Sequence, residues 1–263
     1  METLPLSALR VFPVFPVLCV LSVFPVFCSA APADDLADAA QKLADAPNYA
    51  WTATTEMANS PFPAMPLEGV AEKHGFTVTT RTFNGTTSQT VRKGTEVVMQ
   101  NRDGDWMTLE ELRAQFAGGA PDGAGGQGGA QRGGGRGGFG GGMLGGAGNP
   151  AEVLAAIAAK IKDLKVVDGA LVATASGAAA AALLAPAGTR VGQAPAGPKY
   201  SSVTVKFWLK DGAVSKYSTH SVATFTMPNG DDREIDSTTT VDVKNIGTAK
   251  VEVPAAAKKK FTP

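Results

Sequence analysis

The chain has 263 residues, 44% of them hydrophobic, with 24 basic and 24 acidic side chains and a formal charge of zero. That length allows one or two domains, and the balanced charge gives no electrostatic footprint for nucleic acid or an anionic membrane. Both cysteines, Cys19 and Cys28, fall within the first 30 residues, in an uncharged apolar run that follows Arg10. Small residues follow that run at Cys28-Ser29-Ala30 and Ala31-Pro32-Ala33, the pattern of a secretory signal peptide cleaved after Ala30 or Ala33. A membrane anchor is the competing reading, but Pro13, Pro16 and Pro25 each break a helix. Lipidation at Cys28 is disfavoured by the bulky Phe27 before it. Without this segment the chain has no cysteine, which excludes disulfides, thiolate metal sites and cysteine nucleophiles.

Beyond residue 30, Asp34 and Asp35 can cap a helix whose apolar face is Leu36, Ala39, Ala40 and Leu43. Pro47-Asn48 ends it, and a strand is expected over 49–56. Residues 59–66 hold three prolines and read as a loop. Strands follow over about 70–83, 87–92, 96–101 and 106–108, punctuated by Asn84-Gly85, Lys93-Gly94 and Asp103-Gly104. Asn-Gly and Asp-Gly take the positive φ angles of tight hairpins. Thr108-Leu109-Glu110-Glu111 is a capping box that opens a helix to about Phe116.

Residues 118–148 contain 18 of the 31 glycines. Such a segment buries too little apolar area to offset its ordering entropy and reads as a disordered surface loop. Its Arg132 and Arg136 form too small a patch for RNA, and no phosphate-binding loop is present. Asn149-Pro150-Ala151-Glu152 then starts a helix with an apolar stripe at Val153, Leu154, Ile157, Ile161 and Leu164, Glu152 reaching back to the cap. A strand over 165–174 with a turn at Asp168-Gly169 leads into an alanine-rich helix, Gly177–Leu184. After a loop to residue 198 comes a meander with turns at Asp211-Gly212 and Asn229-Gly230. Val203, Val205, Phe207 and Leu209 share one face there, and Thr204, Lys206 and Trp208 the other. Ile235, Val241 and Val243 alternate with polar residues. A last strand is expected over 249–253, then a helical turn over 255–261.

These elements define an α+β fold: a single curved antiparallel sheet, an incomplete half-open barrel, with helices packed on or lidding its concave face. The organisation expected is a signal peptide (1–30), a first half-barrel segment (31–117), the Gly-rich insertion (118–148) and a second segment of the same domain (149–263).

Chemistry-bearing residues are sparse. His74 and His220 stand in no ligand spacing and read as solvent-side strand residues. Asp34-Asp35 and Asp231-Asp232 sit at a helix start and a turn, where capping and solvation explain them. No nucleophile elbow or Ser-x-x-Lys motif occurs, and no enzyme activity, metal or cofactor is expected. The aromatic residues Trp51, Phe76, Phe83, Trp106, Phe207, Trp208 and Phe225, with Leu183 and Leu184 of the alanine-rich helix, are the candidates for lining an apolar cavity. On residue type alone, a solidly filled core is the stronger reading of the aromatic set.

Three phrases shift that balance: VRKGTEVVMQNRDGDWMTLEE (91–111), LKVVDGALVATASGAAAAALL (164–184) and VTVKFWLKDGAVSKY (203–217). Together they resemble the bacterial lipoprotein-carrier superfamily, the LolA outer-membrane lipoprotein chaperones and the LppX-type lipid-carrying lipoproteins. The resemblance implies an incomplete barrel around an apolar cavity, lidded by helices, that binds acyl chains or lipids and catalyses nothing. The Gly-rich insertion and the Phe27-Cys28 pair depart from the family pattern. The function so implied is that of an exported, periplasmic or extracellular, monomeric protein that sequesters a lipid, acyl chain or lipoprotein. Peripheral contact with a membrane or envelope protein fits that picture, and nucleic acid does not. The alternative is a docking or sensing module on the same scaffold, meeting a partner through the Gly-rich loop or a surface face.

Overall fold

The computed structural model describes residues 31–58, 64–83, 85–101, 103–118, 149–185, 198–227 and 230–261, without the side chains of Met65, Phe83, Arg113 and 116–118. The signal-peptide and Gly-rich readings, and most of the loop expected over 59–66, lie outside these residues.

Eleven strands form one antiparallel sheet. In chain order the elements are α1 (Pro32–Asp45), β1 (Asn48–Met57), β2 (Met65–Glu72), β3 (Phe76–Phe83), β4 (Thr86–Lys93), β5 (Glu96–Gln100) and β6 (Trp106–Thr108), followed by α2 (Leu109–Gly118) and α3 (Pro150–Ala158). Then come β7 (Lys165–Val167), β8 (Ala170–Ser176), α4 (Gly177–Leu184), β9 (Lys199–Lys210), β10 (Ala213–Thr226), β11 (Asp232–Lys244) and α5 (Ala255–Lys258). Strands β1–β6 and β7–β11 are two meanders, each strand beside its sequence neighbour. They join only where β1 pairs with β11, in the spatial order β6-β5-β4-β3-β2-β1-β11-β10-β9-β8-β7. The sheet stays open, with β6 and β7 as its edges.

The turn chemistry works as the dipeptides require. Asp168-Gly169 has φ of 51° and 76°, and Asp211-Gly212 has 53° and 71°, two successive positive values that tighten a two-residue hairpin. Four local expectations change. The strand expected over 70–83 is two strands, split by a turn in which His74 takes φ 59°, so His74 is a turn residue. Helix α1 begins at Pro32 with Ala31 as its cap, and Asp34 and Asp35 sit in the first turn, where they favour the positive end of the helix dipole. Helix α3 stops at Ala158, leaving Ile161 and Leu164 of the expected stripe beyond it. The segment expected as a strand over 249–253 joins no ladder.

Alternation divides the sheet residues between two faces. On one face, Trp51, Leu67, Ala71, Leu171, Val205, Phe207, Tyr217 and Val243 pack with Leu36, Ala39, Ala40 and Leu43 of α1, Leu154 and Ile157 of α3, and Ala180 and Leu183 of α4. We call this the helix face. Gly69 on β2 is opposite Trp51, and a Cβ there would fall inside the indole ring, so its missing side chain lets the ring lie across β2. On the outer face, Val78, Val91 and Val98 form a second cluster with Ala257 and Phe261, flanked by Phe76, Trp106, Val251 and Val253. The C-terminal segment thus covers the outside of β3–β5.

Candidate ligand-binding site

The helix face offers two environments. Where the helices lie, the interior is filled: Trp51, Phe207, Leu36, Leu43 and Leu154 are each no more than 1% exposed. Further along the same strands, past Ala53, Val241 and Tyr217, the face turns to hydroxyls. Thr55 and Thr239 are hydrogen-bonded through their Oγ1 atoms at 2.9 Å, and Ser221 and Ser237 through their Oγ atoms at 3.2 Å.

The cleft nearest α4 lies beside the part of β8 that runs past its pairing with β7. It has a volume of about 340 Å3 and lies between Ala173 and Ala175 of β8, Ala179, Ala182 and Leu183 of α4, and Ile161 of the α3–β7 connection. The alanine methyls on both walls are too small to fill the space between the strand and the helix. Lys160 fixes the far end of α4, donating from Nζ to the carbonyls of Leu183 at 3.3 Å and Ala185 at 2.6 Å. Those last-turn carbonyls have no partner within the helix, so a cation is well placed there. Helix α4 is held by this polar clamp at its end and by Ala180, Leu183 and Leu184 packed on the first cluster.

A second, polar cleft of about 560 Å3 lies where α1 ends and α3 begins, lined by Tyr49, Lys73, His74, Arg92, Asn149 and Glu152 among others. Two ion pairs stand here: Arg92 grips Glu152 with two hydrogen bonds, at 2.9 and 2.5 Å, and Lys73 meets Asp45 at 2.9 Å. Lys73 and Gln41 together hold the Asp45 carboxyl below its usual range. The Tyr49 hydroxyl donates to Asn149 Oδ1 and accepts from the Ala151 N–H at 3.2 Å. Burial pushes the Tyr49 phenol up to about 12, against the pull of the Ala151 N–H. Asn149 caps α3, as its type suggests, accepting from the Ala151 N–H at 3.1 Å. Glu152 is drawn away to Arg92 and does not complete the capping box.

The structure separates the nine residues expected to line one cavity. Trp51 and Phe207 are buried in the first cluster with Leu183, and Leu184 packs against it. Phe225 shares the helix face with Tyr217 by alternation but lies near the far end of β10, outside both clusters. Phe76 and Trp106 belong to the second cluster, on the other side of the sheet, where Phe76 meets Phe261 edge-on at 5.4 Å. Trp208 is also on the outer face, with the Lys216 ammonium 5.6 Å from its ring. The side chain of Phe83 lies outside the described residues. Of the eight whose side chains are described, Leu183 alone lines the cleft under α4. The residues that make that cleft with it are alanines, which an aromatic search passes over. Their signal was the alternation of Leu171, Ala173 and Ala175 beside an alanine helix.

His220 Nε2 stands 2.9 Å from Asp236 Oδ1 across two strands. Among the described residues, no three His, Cys, Asp or Glu side chains gather as a metal site would require. No helix among them is long and apolar enough to cross a membrane.

The class these elements define is an open antiparallel sheet with three helices, α1, α3 and α4, packed on one face. Among solved structures the chain is similar to LprF from Mycobacterium bovis, at 11% identity with a TM-score of 0.42, over 86% of this chain and 97% of that one. It is also similar to the Mycobacterium tuberculosis lipoprotein LppX, at 8% identity and TM-score 0.40, over 85% and 98% of the two chains. A LolA superfamily protein from Nitrosomonas europaea aligns at 9% identity and TM-score 0.33, over 89% and 99%. No protein-family model matches the chain, and no curated protein sequence does.

Proposed function

We propose that the protein is an exported binding protein that sequesters a hydrophobic ligand, a lipid, an acyl chain or an acylated protein, against the helix face of its sheet. The observation that carries this reading is the cleft under α4, small-residue on both walls and clamped by Lys160 at one end of the lid. Its volume of about 340 Å3 falls at the lower end of the roughly 300–1,000 Å3 of small-molecule sites. That suits one slender chain entering from the sheet edge. Half a dozen buried methylenes contribute about 5 kcal/mol at about 0.8 kcal/mol each, which is useful and reversible binding. The export part rests on the apolar run and small-residue cleavage pattern of the first 30 residues. The reading assigns binding and no catalysed step.

The filled interior around Trp51 and Phe207 favours a second reading, a docking or sensing module that carries nothing. One experiment separates the two. Protein purified from its own host is examined by native mass spectrometry for lipid adducts and then titrated with a fluorescent fatty acid. The carrier reading expects adducts or uptake, and at least a tenfold loss of affinity in Ala179→Trp, an exposed position whose new ring would fill the cleft. No adducts and no uptake would leave the docking reading standing.

A further inference from the structure

Strand β8, which walls the α4 cleft, and its neighbours β7, β9 and β10 carry, on their other side, a patch that ligand sequestration leaves unused. Trp208 lies on the outer face of β9, alternating with Lys206 and Lys210. Its partner across β10 is Lys216, and the partner of Lys206 across β8 is Val172, which in turn pairs with Lys165 on β7. One outer row therefore runs Lys165, Val172, Lys206, and the next places Lys216 against Trp208. At the sheet edge, Val166 and Val167 point to opposite faces and are 65% and 46% exposed, the two most exposed large hydrophobic residues among those described.

Lysines outnumber carboxylates here by only four to three, and the carboxylates sit to one side of the lysine row. Lys216 has Asp242 at 3.7 Å, and the hairpin turns contribute Asp168 and Asp211. Among the described residues no carboxylate stands within ion-pair distance of Lys165, Lys206 or Lys210. A formal charge of zero over the whole chain conceals this, because alternation gathers these lysines onto one face.

We propose that this outer patch, Trp208 with its ring of lysines and the Val166–Val167 edge, docks the protein on a bilayer rich in anionic lipid. A half-buried indole flanked by long cationic side chains is the composition that suits a membrane–water interface. The ring settles at headgroup depth and the ammonium groups reach the phosphates. Valines on the edge strand can enter the interface without unsatisfied polar side chains. The geometry also has a use: residues 160–163, which line the mouth of the cleft, run directly into β7. Docking by this edge sets that mouth against the bilayer. The inference stands on the patch alone and does not require that the cleft carry a ligand.

The test uses the exported full chain and flotation with phosphatidylcholine vesicles, with and without phosphatidylglycerol, in the absence of fatty acid. The expected result is partition to the anionic vesicles that weakens with salt. In the double variant Lys165→Gln/Lys206→Gln it should fall about tenfold or more, since a lysine near such a surface is worth about fivefold. Lys258→Gln/Lys259→Gln changes the net charge equally on the C-terminal segment and should bind as the parent does. Trp208→Gln should lose partition while its circular dichroism spectrum is retained. No partition of the parent, equal binding to neutral vesicles, or equal losses in the two lysine pairs would overturn the proposal. So would self-association abolished by Lys165→Gln/Lys206→Gln, which would give the patch to a second copy. Fatty-acid uptake in solution should be unchanged in all these variants, so a failed carrier reading would leave the vesicle result intact.

Discussion

The outer faces of the two wings are built from similar alternating strands and meet solvent differently. Across β3, β4 and β5 the outward residues Val78, Val91 and Val98 are each no more than 7% exposed, beneath Val251, Val253, Ala257 and Phe261. Across β8, β9 and β10 the outward residues Val172, Trp208 and Lys216 stay half-buried and Lys206 is exposed. The cover on the first wing comes from the far end of the chain and is tied down by Lys260, whose ammonium meets Glu111 of α2 at 2.7 Å. A strand's own sequence settles which residues share a face. Whether that face becomes dry depends on a segment the strand never specifies.

The largest effect should come from the core common to both wings. Trp51 sits where β1 joins the halves and is 1% exposed, so Trp51→Ala should cost about 3–5 kcal/mol by urea denaturation, with both wings unfolding together. Gly69→Ala forces the same indole from its seat and should cost about 1–3 kcal/mol. If either change left the urea midpoint unmoved, the indole would not be the shared keystone.

Next in size is an alkaline effect on the same core. All three tyrosines are raised by burial: Tyr49 to about 12, and Tyr200 and Tyr217 upward, Tyr217 also by the nearness of Tyr49. A phenol whose folded value is raised contributes stability that is complete below its unfolded value near 10 and is lost as pH climbs through the folded value. For Tyr49 this amounts to roughly 2–3 kcal/mol, lost between about pH 10 and 12. Phenolate absorbance should stay low in the native protein near pH 10 and jump on adding urea. A native phenolate signal already half-developed there would contradict the buried placement. Tyr49→Phe should flatten the alkaline slope, though it also removes a hydrogen bond from α3.

The cover is the smaller and more local target. Phe261→Ala should cost about 1.5–3 kcal/mol, and hydrogen exchange should quicken in β3–β5 while β8–β10 are unchanged. Equal quickening in both wings would mean that the sheet opens as one unit and that the comparison between its faces has no dynamic counterpart.

Part of this architecture was legible in the sequence. Local features carried through: the turn at Asp211-Gly212 and the capping box, in which the Thr108 N–H donates to Glu111 at 2.8 Å and the Glu111 N–H to Thr108 Oγ1 at 3.2 Å. So did the bounds of α4 and the four buried positions of α1. The hairpin at His74 was missed because its positive φ falls on a histidine before Gly75, not on an Asn-Gly or Asp-Gly pair. The alternation at Val251 and Val253 marks a half-buried extended segment, and a strand is only one way to bury one; here it serves as a cover. The candidate site was the least legible part. Alternation separates Phe207 from Trp208, but only the pairing register shows that Phe76 and Trp106 lie on the face away from the helices. The cleft itself is written in alanines, which signal space rather than contact.

The smallest effect probes how the second half of the chain is fastened to the first wing. The Arg92–Glu152 pair joins β4 to α3 across 60 positions of sequence, and its two hydrogen bonds give it better geometry than most exposed pairs. Even so, Arg92 and Glu152 side chains are 31% and 59% exposed, so solvent screens most of the attraction. A double-mutant cycle with Arg92→Ala and Glu152→Ala should return a coupling of about 0.2–1 kcal/mol, shrinking as salt is added. A coupling well above that, insensitive to salt, would mean that the polar cleft behind the pair is drier than its open rim implies. Tyr49 and Asn149 would then be sharing the work of holding α3 with an ion pair in effect buried. A coupling near zero would leave that work to the Tyr49 hydroxyl and the apolar contacts of Leu154 and Ile157. In that case α3 is attached to the first wing by the same kind of contact that attaches the C-terminal segment to its outside: burial first, with the ion pair adding position rather than strength.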